Sequence, residues 1–509
     1  MTFAILMLTS CGRGSRSATT ETLQQTPQNL QELLDIAYIR RLGIYTPGIE
    51  RLAELTYGRV QNTFDMLYDW NGFSRPQVSR LTAQNIMHDV QLFFDILREV
   101  YAAYTYFGGD EVFLPIFDEI LGQFAYSTQV SWAPQHIASI VHDGLRNYIH
   151  DHHLSFGGRG FYTRFTSNYG VFASFEFFDR TENGFRNRSN GLYVKEVIEH
   201  DINEVFRLTI TQYGEFMYTP VVEGRYNQDE MLTIIYETGE SVTIKLYPTS
   251  DMKRQIYQEP SLEFIDGFPV ITISRMYLTH HSPGFPGYNE DAEHSRTFLS
   301  FVDKVRDEPA IIIDLRGNPG GSSLLPTRWL YYLTGEIISN NSIMLTPLEV
   351  HNNIIYAREH SPDIIIYPPS SDEIHAQQVI IPFGDNHVIR YNIEPDRHDT
   401  VISNEQIIIF LSSRHSGSAS EVFINMGFNL ENTLVIGQNT QGTLVTGLCF
   451  PNRFLPYTGI GFDIGSTLFV HADTLNFREG VGIAPDLWIP HNEDALLAAL
   501  ALLRNHFGE

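Results

Sequence analysis

The chain reads as an α/β protein built around parallel strands. Two observations predict this. Ala310-Ile311-Ile312-Ile313-Asp314-Leu315 and Ile407 to Leu411 are continuous apolar runs, the pattern of strands buried on both faces. From about residue 258, strand-like and helix-like segments alternate, which is how parallel strands are connected. Val270 to Ser274 is a predicted strand, Ala292 to Val305 a helix, Ala419 to about Asn429 a helix, and Thr433 to Gly437 a further strand. The stretch 340–405 is polar and in places Pro-rich, an excursion from this core.

The chain of 509 residues is too long for one compact core, so two or three domains are expected. Residues 28 to 150 read as helical. Ile86, Val90, Phe93, Leu97, Tyr101 and Tyr104 recur at three- and four-residue spacing, one stripe of a long helix. Pro134 opens another, with Ile137, Val141, Leu145 and Tyr148 on its buried face. Residues 160 to 248 change character: Val171 to Phe178, Leu192 to Val197 and Met231 to Tyr236 are rich in β-branched and aromatic residues between turn-forming segments. The expected division is a leader and tether at 1–28, a helical domain at 29–157, a β-rich domain at 158–250 and the α/β core at 251–509.

The net charge of −26, from 60 acidic and 34 basic side chains, argues against nucleic acid or an anionic lipid surface as partner, since phosphate is repelled. Near the N-terminus, an apolar run from Phe3 to Leu8 leads into Leu8-Thr9-Ser10-Cys11 and then a polar stretch to about Gln28. This resembles the lipobox of bacterial lipoproteins, which implies acylation of Cys11 and a protein anchored to the membrane rather than spanning it. The n-region departs from that pattern in having no Lys or Arg before the Cys. With Cys11 so used, Cys449 has no intramolecular disulfide partner.

Two loops carry the chemistry. Ser416-Gly417-Ser418-Ala419-Ser420-Glu421 sits where a buried strand gives way to a helix. A serine there is presented at the sheet edge, and the Ala419 N–H belongs to a helix N-terminus, where unpaired donors and positive partial charge suit a developing oxyanion. The same six residues also suit an ordinary Ser-capped helix start. Asp314-Leu315-Arg316-Gly317-Asn318-Pro319-Gly320-Gly321 ends another buried strand in a Gly-rich loop without the GK[ST] of a phosphate-binding loop.

"IIIDLRGNPGG", then "SGSASE", "VIGQNTQGTL" and "EGVGIAPDLWI", in that order over roughly residues 258 to 490, resemble the C-terminal-processing (tail-specific) serine peptidases. The resemblance implies a crotonase/ClpP-like peptidase core, a PDZ-like domain in the β-rich segment, Ser418 as nucleophile, and an oxyanion hole from the N–H groups of Gly321 and Ala419. It assigns Glu421 a structural place. Many members use a lysine base in a block that here reads Thr440-Gln441-Gly442-Thr443, with Thr443 at the lysine position. The four lysines, Lys195, Lys245, Lys253 and Lys304, all precede Ser418, and arginine stays protonated.

A second branch, similar to the tricorn protease core, uses histidine and glutamate. On that resemblance His153, in Tyr148-Ile149-His150-Asp151-His152-His153, is the base, and Glu479 is the acid that orients it. His152 stands where that branch has a serine. His280, His281 and His415 are rival bases, and a metal site from His150, His152 and His153 matches no standard zinc spacing. The reading is a serine endopeptidase acting on unfolded or C-terminally exposed polypeptides in the bacterial cell envelope, with no metal or organic cofactor implied. The alternative is an inactive, envelope-anchored peptide-binding protein that keeps the fold.

Overall fold

The computed structural model describes residues 26–42, 81–126, 132–161, 169–211, 213–225, 230–248, 258–276, 288–338, 340, 342–347, 379–383, 387–391, 402–447, 450–471, 479–489 and 493–508. Cys11, His280 and His281 lie outside them. Ala310–Asp314 and Ile407–Ser412 are strands buried at every residue. They pair in parallel, Ala310 opposite Ile407 and Asp314 opposite Leu411. Phe268–Thr272 extends the parallel set on one side. Thr433–Gly437, Leu487–Trp488 and Phe206–Ile210 extend it in that order on the other.

The unbroken apolar runs have a direct cause. Successive side chains on a strand point to opposite faces, and both faces are covered by helices. Ile311, Ile313 and Phe410 pack with Leu325, Trp329 and Phe423 from the helices Leu324–Thr334 and Ala419–Gly427. Ala310, Ile312 and Ile409 face the other way, onto Leu33 and Leu34 of the helix Leu30–Leu42 and Ala498 and Leu502 of the helix Ala495–Phe507.

The sheet runs across the boundary expected at residue 250. Phe206–Ile210 is one of its parallel strands, and Phe216–Arg225 pairs antiparallel with it. Val194–Val197, Met231–Tyr236 and Ser241–Lys245 form a separate small sheet. The 340–405 stretch also contributes strands: Ser342–Pro347, Val379–Phe383 and His387–Tyr391 join Thr467–His471.

The N-terminal helices Ala83–Glu99, Gly109–Ala125 and Pro134–Leu145 form a layer that docks on the hairpin of Phe450–Phe454 and Gly461–Ile464. The first helix stops at Glu99, so Tyr101 and Tyr104, expected on its stripe, lie in the turns beyond it and are nevertheless buried. Tyr148 is not on a buried face: it follows the end of its helix and is 45% exposed. At the junction, Phe93 packs against Phe156 and Phe462, with ring centroids 4.2 and 5.5 Å away. The two-residue strand Ser155–Phe156 pairs with Asp463 and Phe462. That pairing delivers the preceding turn, residues 151–154, to the C-terminal edge of the parallel sheet.

Candidate active site

Ser418 sits between the buried strand Ile407–Ser412 and the helix Ala419–Gly427 with φ 51° and ψ −115°. A non-glycine residue held there costs about 1–3 kcal/mol, so its surroundings must over-determine it. They do. Gly417 N–H donates to Asn318 O at 2.9 Å and Ser418 N–H to Glu421 Oε2 at 2.8 Å. Ser416 Oγ donates to Leu315 O at 2.8 Å, and Ser420 Oγ to Asn318 O at 3.0 Å. Both flanking hydroxyls are spent on buried bonds.

Glu421 is fully buried. It accepts from Ser418 N–H and Thr443 N–H at Oε2, and from Gly442 N–H and the Thr440 hydroxyl at Oε1. Burial pushes its pKa up, and these four donors oppose the shift. The carboxylate ties the 440–443 loop to the serine turn, a structural role. Thr443 contributes its N–H to that tie.

The Gly-rich loop is pinned by Asn318, whose Nδ2 donates to Ile273 O and whose Oδ1 accepts from Gly320 N–H, both at 2.9 Å. Gly320 has φ 102°, and a Cβ there would lie 2.6–2.7 Å from Gly417 O, Ala419 N and Ser418 Cβ. Only glycine lets the two loops approach this closely. Gly321 bridges Met276 in parallel fashion: Met276 N–H donates to Gly320 O, and Ser322 N–H to Met276 O. In that pattern the Gly321 N–H points away from Met276. Among the described residues, neither the Gly321 nor the Ala419 N–H has a hydrogen-bond partner.

The His153 ring meets this turn from the helical layer. Its Nε2 lies 3.2 Å from Ser418 Oγ, across a separation of 265 residues. The rival His415 donates its backbone N–H to Ser413 Oγ. Glu479 differs from expectation. Its Oε1 lies 2.6 Å from the ring Nδ1 of His152 and accepts the His152 N–H at 2.9 Å, while Oε2 accepts from Leu444 and Val445 N–H. The carboxylate therefore holds the neighbouring histidine, because the 151–153 turn directs successive side chains to different sides. Burial, with the Asp151 charge beside it, raises the Glu479 pKa well above the usual carboxylate range. Burial lowers that of His152 to about 4. Burial thus works against the charged form of each partner in this contact.

The sequence pattern gives Asp151 no role beyond its place in the turn. It is fully buried. Its Oδ1 accepts the His153 N–H at 2.8 Å, and its Oδ2 accepts from Tyr101 OH and Thr446 Oγ1, each at 2.8 Å. The available signal was an acid two residues before the candidate base. Among the described residues, no three His, Cys, Asp or Glu side chains converge as a metal site.

No family model and no curated protein matches the chain. Solved structures similar to it include mature CPAF complexed with lactacystin, at 15% identity over 83% of this chain and 97% of that one, with a TM-score of 0.40. The photosystem II D1 C-terminal processing protease shares 9% identity over 81% and 93% of the two chains, with a TM-score of 0.34. The tricorn protease shares 13% over 82% of this chain and 37% of that one, with a TM-score of 0.35. Identities and scores this low leave the assignment of function to the geometry of the site.

Proposed function

We propose that the protein is a serine endopeptidase in which Ser418 is the nucleophile and His153 the general base. The observation that carries this reading is the 3.2 Å approach of His153 Nε2 to Ser418 Oγ, within the reach a base needs. Ser418 Oγ–H gives its proton to Nε2 as the oxygen attacks a peptide carbonyl. The unpartnered N–H groups of Gly321 and Ala419 receive the negative charge that develops on the carbonyl oxygen. His153 then protonates the departing amine, and a water repeats the sequence on the acyl-enzyme, returning the proton to Ser418.

The substrates are unfolded or C-terminally exposed polypeptides, with the β-rich segment as a PDZ-like binding element. The setting is the bacterial cell envelope, with Cys11 as the lipid anchor. The test is a fluorophosphonate probe with the adduct mapped by mass spectrometry. A label on Ser418 that is lost in Ser418→Ala and strongly slowed in His153→Ala supports the reading. No label together with no turnover of any unfolded polypeptide would leave the peptide-binding alternative.

A further inference from the structure

We propose that Asp151, and not Glu479, is the carboxylate that orients the His153 ring and supports its positive charge. This rests on the Ser418–His153 reading and deepens it. Asp151 Oδ1 lies 3.9 Å from His153 Nδ1, and that nitrogen is buried without a hydrogen-bond partner among the described residues. At 3.9 Å the two atoms are beyond hydrogen-bond range, but both belong to buried side-chain groups and the ring nitrogen has no other partner among the described residues. Bonds of this kind are often long in the free enzyme and tighten when substrate binds.

The carboxylate is itself immobilised. Tyr101 OH holds Oδ2 from the helical layer, and Thr446 Oγ1 holds it from the core. The His153 N–H fixes Oδ1 at 2.8 Å, so ring and acid are tied through the same short turn. Glu479 is differently occupied: both of its oxygens are taken by three backbone N–H groups and the His152 ring. Two carboxylates this near one another do not both ionise easily, and burial with the Asp151 charge is what favours the neutral form of Glu479. Arg414 and Glu421 interact electrostatically with His152, and Tyr106, Tyr101 and His153 with Glu479. The carboxylate nearest the His153 ring is that of Asp151, although Glu479 also acts on that ring electrostatically from farther away.

In this arrangement Asp151 selects the tautomer. With the proton on Nδ1, the Nε2 lone pair faces Ser418 Oγ. When Nε2 takes the serine proton, the imidazolium is stabilised by the adjacent carboxylate. Asp151 touches no reacting atom and is a positioning residue.

The experiment uses the full-length chain. The variants D151N and E479Q are compared with wild type for kcat and KM on one unfolded polypeptide, for pH profile, and by 15N NMR of histidine-labelled protein with His153 assigned through His153→Gln. In D151N, kcat is expected to fall by about 10³–10⁴ with KM within threefold, and His153 to lose its Nδ1–H tautomer. In E479Q, kcat is expected to fall less than tenfold and the tautomer to persist. Wild-type kcat with the Nδ1–H tautomer intact in D151N would overturn the proposal, as would E479Q matching D151N in both readouts. Should D151N fail to fold, the wild-type spectrum decides: a downfield Nδ1 proton supports the proposal and an Nε2–H tautomer refutes it. Absence of fluorophosphonate labelling in wild type would instead refute the Ser418–His153 reading, and the tautomer measurement would still judge Asp151.

Discussion

Glu479 Oε1 lies 2.6 Å from the ring Nδ1 of His152, one residue before the histidine that approaches Ser418. His153, the proposed base, and its neighbour His152 thus divide the polar groups of the site between them. His153 faces the serine on one side and Asp151 on the other. His152 and Glu479 form a second, buried pair behind them, with side chains each about 6% exposed.

That pair makes stability depend on pH in two opposed ways. The His152 pKa is lowered to about 4, so between about 6.5 and 4 the unfolded chain binds a proton that the folded chain refuses. Its contribution is therefore lost as pH falls through that window. The Glu479 pKa is raised, so its contribution is complete below about 4.5 and is lost as pH rises above it. His152→Gln is expected to flatten the loss of thermal stability on the acid side, and Glu479→Gln to flatten the loss on the neutral side. Melting temperature measured at half-unit steps from pH 4 to 8 checks both slopes. Unchanged slopes in both variants would contradict both shifts.

The three serines of the turn are expected to separate cleanly. Ser418→Ala should remove probe labelling and turnover with little change in melting temperature. Ser416→Ala and Ser420→Ala delete hydroxyls that donate to Leu315 O and Asn318 O in the interior. Because Asn318 O keeps the Gly417 N–H and Leu315 O the Asn318 N–H, each lost bond should cost about 0.5–1.5 kcal/mol of stability while Ser418 remains labelled in whatever protein stays folded. Denaturant melts and adduct mapping on the same preparations report both quantities.

Gly320→Ala tests the closeness of the two loops. At φ 102° an added Cβ would meet Ser418 Cβ and Ala419 N at 2.7 Å, so backbone must move. The proposed oxyanion donors Gly321 and Ala419 move with it, and loss of one such donor costs about 10²–10³ in kcat. A drop of at least 10² in kcat is expected, with KM less affected. A fully active Gly320→Ala would show that these loops are not packed as described.

Cys11 is expected to carry the anchor. Expressed in a bacterium, the wild-type chain should partition into detergent, and Cys11→Ala should remain in the aqueous phase. Equal partitioning of the two proteins would remove the anchor from the functional proposal.

Much of the core was legible from residue order alone, because strands buried on both faces must be apolar at every position. Ala310–Asp314, Ile407–Ser412 and Thr433–Gly437 lie within a residue of where their runs predicted. The helix after Ser418 also follows from its local pattern. So does the candidacy of that serine, since a strand-to-helix turn is a local event. Only resemblance points to His153 in the sequence, which offers His280, His281 and His415 equally as bases. Spacing cannot rank them, because the distance between residues 153 and 418 is set by how Phe93, Phe156 and Phe462 seat the helical layer on a distant hairpin. Which histidine Glu479 meets, and that Asp151 stands behind His153, are decided at the same level. One residue along the 151–153 turn re-aims a side chain by many degrees, and only the docked backbone says which way each one points.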